Sequence, residues 1–221
     1  RPNMPQSIKE KIRTIPRWPK DHVTFRDITT LLKDSGGFNH MIELLLERYK
    51  DTKIDYVVGI ESRGFIIGSV LAHQLNKGFI PIRKKGKLPP EVVSEEYDLE
   101  YGKDKIEISA EAIKPGDKVL LVDDLIATGG TAMAACNLIK KIGGEIVECC
   151  FVIDLPDLGG KKKLENAGYK TFGLVEFTED SEKFNVATGK EIAGALKDIG
   201  QGKNISPSFS SAKEAAKFLK S

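Results

Sequence analysis

The sequence predicts an α/β fold in which a mostly parallel sheet is flanked by helices on both faces. Three observations carry this. From Asp55 onward, short apolar runs alternate with stretches whose apolar residues recur at helical spacing, the order of βαβ units. The runs at 55–60, 79–82 and 119–122 are nearly unbroken and rich in Val and Ile, as strands buried on both faces require. Between 92 and 110 the pattern changes to alternation at Val92, Tyr97, Leu99, Tyr101, Ile106 and Ile108, the mark of a hairpin that covers or swings over the site. With 221 residues, 40% of them hydrophobic, the chain can bury one sizeable core and carry some additional sequence.

Taken in order, residues 7–12 read as a short helix with Ile8 and Ile12 on one face. Pro16 and Pro19 follow, so 15–27 is expected to be an irregular arm holding Trp18, the single tryptophan. Asp34 or Ser35 can cap a helix over about 38–49, where Met41, Leu44, Leu45 and Arg48 recur. The strand at 55–60 leads to a helix at 64–75. Gly64 and Gly68 in that helix allow close approach to the sheet. A strand at 79–82 precedes the 92–110 hairpin, whose turn contains Gly102. Pro115-Gly116-Asp117 turns the chain into the central strand at 119–122, and a helix runs on to Ile142. Gly143-Gly144 ends it, leaving a strand at 146–153, a Lys-rich helix at 160–167 and a last strand at 171–175.

The expected division is a domain over 1–177, with 1–34 as an arm or hood and 92–110 as a flexible loop, and an extension over 178–221. Thr188-x-x-Glu191 and Ser211-x-x-Glu214 are capping boxes that would open two short helices in the extension.

The chemistry concentrates at 119–131. An apolar strand ends in Asp123-Asp124, and a loop of small residues, Ala127-Thr128-Gly129-Gly130-Thr131, opens a helix. The first N–H groups of a helix lack internal acceptors and, with the helix dipole, attract a phosphate monoester. Thr128 and Thr131 add hydroxyl donors. Two carboxylates repel that phosphate, so they should face ribose hydroxyls or a Mg2+ ion on the same ligand, and a phosphorylated ribose meets both demands. The plainer alternative is a solvated strand end followed by an ordinary turn. Neither Gly-x4-Gly-Lys-Ser/Thr nor Gly-x-Gly-x-x-Gly occurs in the chain.

Other anion-binding candidates lie at the ends of neighbouring strands. Arg63 follows the 55–60 strand just ahead of a helix, and Arg83, Lys84 and Lys87 follow the 79–82 strand, where ligands of open α/β sheets bind. Net charge is only +2, from 34 basic and 32 acidic residues, so a nucleic-acid partner is not expected. No apolar run approaches a membrane span and no secretory signal opens the chain, so no membrane association is expected. Cys136, Cys149 and Cys150 form neither a disulfide framework nor a zinc motif. Cys149 and Cys150, in the apolar run 146–153, read as core residues, and a reducing compartment, the cytoplasm, is expected. His40 and His73 read as surface or packing histidines.

Residues 119–131 resemble the phosphoribosyl pyrophosphate (PRPP) motif of the type I phosphoribosyltransferases. Phe25-Arg26-Asp27-Ile28-Thr29, the basic run 83–89 and Leu99-Glu100-Tyr101-Gly102-Lys103 are similar to segments of the adenine phosphoribosyltransferase family in particular, over about 7–177. Lys20-Asp21-His22 departs from the Pro-Gly usual in that arm.

The resemblance implies adenine and PRPP as substrates, AMP and pyrophosphate as products, and a homodimer in which part of the basic run serves the partner's site. It implies Glu100 as acid/base residue and Tyr101 as a seal. Residues 127–131 would take the 5′-phosphate, Asp123 and Asp124 the ribose, and Arg63, Arg83, Lys84 and Lys87 the pyrophosphate. Thr24, Phe25, Arg26 and Leu125 would surround adenine. Mg2+ would come mainly with the substrate, with Asp123 or Asp124 as its protein ligand. A sister transferase for hypoxanthine, guanine or xanthine would share the PRPP loop but not the arm or Glu100-Tyr101. A PRPP-sensing regulator would need a DNA-binding domain, for which the residues before Asp34 are too few.

Overall fold

The computed structural model describes residues 8–98 and 102–178. Backbone contacts divide the chain into Arg1–Glu176 and Phe177–Ser221. Both capping boxes of the extension lie outside the described residues.

After helical residues 8–10 come β1 (Arg13–Pro16) and β2 (Thr24–Asp27), followed by helices Thr29–Lys33 and Ser35–Tyr49. Next come β3 (Tyr56–Ile60), helix Arg63–Gln74, β4 (Gly78–Lys84), and the hairpin β5 (Val92–Asp98) and β6 (Lys103–Ser109). Then follow β7 (Lys118–Ile126), helix Gly130–Lys141, β8 (Glu145–Asp154), helix Gly160–Asn166 and β9 (Thr171–Glu176). One sheet has the order β5-β6-β4-β3-β7-β8-β9. Its strands β4, β3, β7, β8 and β9 are parallel, and the β5-β6 hairpin adds to β4 in antiparallel fashion.

β7 is the spine. Val119, Leu120, Leu121 and Val122 are fully buried, each worth about 1.5–3 kcal/mol of burial. Helix Gly130–Lys141 lays Ala135, Leu138 and Ile139 into the same core as Leu121 and Phe151. The close approach expected of Gly64 and Gly68 is present. A Cβ on Gly64 would stand 3.0 Å from the Val122 carbonyl, and one on Gly68 would stand 3.0 Å from the Phe79 ring. Asp34 caps the Ser35–Tyr49 helix, its carboxylate accepting from the Gly37 N–H.

Three expectations are corrected. The arm is irregular only over 17–23, because its two ends, β1 and β2, form their own antiparallel ribbon with Pro16 opposite Thr24. Proline fits there because the outer side of a two-stranded ribbon needs no donor. The central strand does not stop at Val122 but runs through both aspartates to Ile126, since Asp123, Leu125 and Ile126 continue the pairing with Phe151, Ile153 and Asp154 of β8. Helix Thr29–Lys33 was also not foreseen. Its start is set by Asp27, whose carboxylate accepts from the Thr29 N–H at 2.9 Å and the Thr29 hydroxyl at 2.5 Å. These bonds hold the Asp27 carboxyl below the usual carboxylate range.

Candidate active site

A cleft of about 810 Å³ opens at the carboxyl ends of the parallel strands. It is lined by residues 60–63 after β3, Lys84 at the end of β4, Tyr97 and Asp98 of β5, and residues 123–132. This is where an open α/β sheet binds ligands.

One end of the cleft is built from backbone. Gly129, at φ +79°, turns the chain from β7 into helix Gly130–Lys141, a conformation that costs other residues about 1–2 kcal/mol. The first intrahelical bond runs from the Met133 N–H to the Gly129 carbonyl at 2.9 Å, so the N–H groups ahead of Met133 have no acceptor one turn back in the helix. Ala127, Thr128, Gly129, Gly130 and Thr131 all line the cleft here.

The middle of the cleft carries the two aspartates. Asp124 is buried, and its carboxylate accepts from Arg63 Nε at 2.5 Å. Asp123 accepts the Asp124 N–H at 2.8 Å. Burial, reinforced by the adjoining Asp124 carboxylate, pushes the Asp123 carboxyl well above the ordinary range. Among the described residues no group of three or more His, Cys, Asp or Glu is arranged to hold a metal.

The other end is built from side chains already paired with acids. Glu61 accepts from Arg83 Nε and Nη2, each at 3.3 Å, and from the Lys84 N–H at 2.8 Å. Burial alone would raise the Glu61 carboxyl, but these donors outweigh it and hold the group low. Lys84 Nζ pairs with Asp104 and meets the Tyr97 hydroxyl at 3.3 Å.

Comparison with known proteins gives this geometry a family. The phosphoribosyl transferase domain matches residues 27–190. The chain belongs to this family. It is 59% identical over 176 residues to the adenine phosphoribosyltransferase of Methylobacillus flagellatus, covering 80% of this chain and 99% of that one. The crystal structure of adenine phosphoribosyltransferase from Rhodothermus marinus matches with a TM-score of 0.75 and 46% identity, over 80% of this chain and 100% of that one. The Saccharomyces cerevisiae enzyme, in complex with an imino-altritol bisphosphate and adenine, matches with a TM-score of 0.73 and 39% identity, over 78% and 98%. The family's fold, a mixed sheet flanked by helices, is the one described above.

Within this phosphoribosyl transferase fold, the expected site residues divide into three sets. Arg63, Lys84, Asp123, Asp124, Leu125 and residues 127–131 share the cleft. Arg83 and Lys87 do not line it. Arg83 turns back onto Glu61 and donates to the Lys87 carbonyl at 3.1 Å, and Lys87 is exposed. Thr24, Phe25 and Arg26 lie on β2 and do not line it either. The Arg26 guanidinium is buried and donates to the Thr14 hydroxyl at 2.6 Å. Glu100 and Tyr101 lie outside the described residues.

Glu61, Asp104 and Tyr97, which organise the basic end, were not among the expected residues. Glu61 directly precedes Ser62-Arg63 at a strand end, so the same argument that singled out Arg63 could have found it. Asp104 gave no such signal, because its pairing with Lys84 depends on how β6 aligns with β4.

Proposed function

We infer that the protein transfers the 5-phosphoribosyl group of PRPP to adenine, giving AMP and pyrophosphate. One observation carries this reading. A helix amino end made of small residues and a pair of adjacent aspartates meet in one cleft at the carboxyl end of the central strand, the two contacts a ribose 5-phosphate needs. The named relatives and the adenine-bound yeast structure support adenine as the acceptor.

The 5′-phosphate would seat on residues 127–131, with the ribose hydroxyls on Asp123 and Asp124. Breaking the bond at ribose C1 builds positive charge on the sugar and negative charge on the leaving group. Arg63 and Lys84 serve the leaving group from within the cleft, and water must be kept out. As adenine N9 attacks, the base gives up its ring proton, and a carboxylate near N7 can manage that charge. Glu100 is assigned this role, with Tyr101 closing the site.

The buried Arg26 side chain is engaged with Thr14, so β2 would read the adenine edge through backbone groups of Thr24 and Arg26, with Phe25 and Leu125 against the ring. Adenine offers N1 as acceptor and its 6-amino group as donor. Hypoxanthine inverts both, and a fixed backbone pair rejects it.

Mg2+ fits this arrangement as an ion carried by the substrate. Adjacent Asp123 and Asp124 offer few of its six oxygen ligands, and phosphate oxygens and water suit the rest. When bound it would neutralise pyrophosphate charge. Arg83 and Lys87 do not line the cleft of their own chain, which is compatible with their acting in a homodimer on the partner's site. The reading takes residues 1–177 as the transferase domain, with 1–34 as hood and 92–110 as closing loop. It treats 178–221 as an added segment. No helix among the described residues is long and apolar enough to cross a membrane, and the free, buried Cys136, Cys149 and Cys150 suit the reducing cytoplasm.

The test is a panel of purine bases with PRPP and Mg2+, following pyrophosphate release. Adenine is expected to react far faster than hypoxanthine, guanine or xanthine. A faster rate with any of those three would overturn the assignment.

A further inference from the structure

The loop read as the phosphate site is braced by a residue outside the cleft. Gly160 is buried, opens helix Gly160–Asn166, and donates its N–H to the Ala127 carbonyl at 2.9 Å. A Cβ on Gly160 would stand 2.3 Å from that same oxygen and 2.7 Å from the Gly129 nitrogen. Both neighbours are backbone, so no side chain can swing aside. In return, a Cβ on Gly129 would meet the Gly160 Cα and carbonyl oxygen at 3.0 Å. The two glycines therefore pack main chain against main chain.

The Gly160 side of this contact is anchored. Leu164, one turn on, is fully buried. The Leu155 N–H donates to the Ile126 carbonyl at 3.1 Å, joining the segment before the helix to the end of β7. Lys161 lies 3.8 Å from the buried Asp154 and 3.7 Å from Glu176. With the helix held on these sides, strain introduced at Gly160 falls on the loop.

The hydrogen bond also sets a direction. The Ala127–Thr128 peptide is not among the cis bonds, and a planar trans peptide points its C=O and N–H to opposite sides. With the Ala127 carbonyl turned to Gly160, the Thr128 N–H is turned away from that helix, and Thr128 itself lines the cleft.

We propose that Gly160 is a positioning residue for phosphate recognition: by fixing the Ala127–Thr128 peptide plane, it aims the Thr128 N–H at the 5′-phosphate of the ligand. The proposal rests on residues 127–131 being the phosphate loop.

The experiment compares AMP with adenosine, which lacks only the phosphate, by calorimetry on wild type and Gly160→Ala. Wild type should prefer AMP strongly, and Gly160→Ala should lose about ten-fold or more of that preference, the value of one charge-assisted hydrogen bond, while binding adenosine as before. If wild type binds the two equally, the phosphate-loop reading fails and this inference with it. If wild type discriminates and folded Gly160→Ala discriminates as well, the inference alone fails.

Amide exchange followed by NMR on the wild-type protein decides the matter even if the variant does not fold. The Gly160 amide should be protected with or without ligand. The Thr128 amide should exchange readily when free and slow with AMP but not with adenosine. A readily exchanging Gly160 amide, or a Thr128 amide already protected without ligand, would overturn the proposal.

Discussion

The two ends of the cleft offer donors to an anion by opposite means. At the loop end, donors are main-chain N–H groups held by a left-handed glycine and a helix start, with nothing to rearrange. At the basic end the cations already have partners. Lys84 sits on Asp104, Arg83 holds the cleft residue Glu61 from outside the lining, and between the two ends Arg63 sits on Asp124. A site of the first kind is ready before the ligand arrives, whereas one of the second kind must exchange internal ion pairs for contacts with the ligand. Under the proposed function, the phosphate kept by the product would have a preorganised seat, and the group that leaves an exchangeable one.

The largest expected effect comes from a residue assigned to neither end. Glu100→Ala should lower single-turnover rates with labelled adenine about a hundred-fold or more, while leaving AMP and PRPP affinity within about two-fold. Equal losses in rate and affinity would make Glu100 part of an anion site and break the division. Next, Lys84→Ala, and Arg83→Ala in the assembled protein, should each weaken PRPP binding about ten-fold in calorimetry but barely alter AMP, which carries no pyrophosphate. A matching loss for AMP would show that the two ends are not independent.

Asp123→Asn sharpens the view of the middle. Its carboxyl is raised in the folded state by burial and by Asp124, so the folded form holds that proton more tightly than the unfolded chain does. The associated stability is present below the ordinary carboxylate range and lost as pH rises through the raised folded value. The asparagine variant should thus melt about 2–4 °C higher than wild type near neutral pH. The two should converge when the pH falls below the unfolded aspartate's range. AMP affinity should fall in the variant, and a lower melting temperature at neutral pH would contradict this account. The smallest effect is that of salt. Raising ionic strength should weaken pyrophosphate binding by a few-fold more than AMP binding, because exposed ion pairs are screened and a main-chain nest is less so.

How much of this was legible in the sequence follows the same division. Residues 119–131 were readable because local chemistry determines their structure: an apolar strand, two acids, small residues and a helix. Even there, the strand's continuation to Ile126 depended on its neighbour, since pairing with β8 carries Asp123 past the apolar run. The ribbon of β1 and β2 was hidden by Pro16 and Pro19, which usually mark irregular chain, and by pairing across a turn with no hairpin signature. Asp104 matters through Lys84, 20 residues away, a separation periodicity does not encode, whereas Glu61 was within reach of the strand-end argument that found Arg63. Gly160 looked like an ordinary helix start, and only the fold brings it against Ala127 and Gly129.

The pairing of Arg63 with Asp124 has one more consequence. The Asp124 side chain is 6% exposed and that of Arg63 46%, so the acid meets its counter-ion inside the protein while the arginine still reaches water. A ribose seated as proposed would meet a carboxylate neutralised by Arg63 until the leaving group draws that arginine away. Before that exchange the enclosed charge is balanced within the fold, and recognition of the sugar is left to hydrogen-bond geometry.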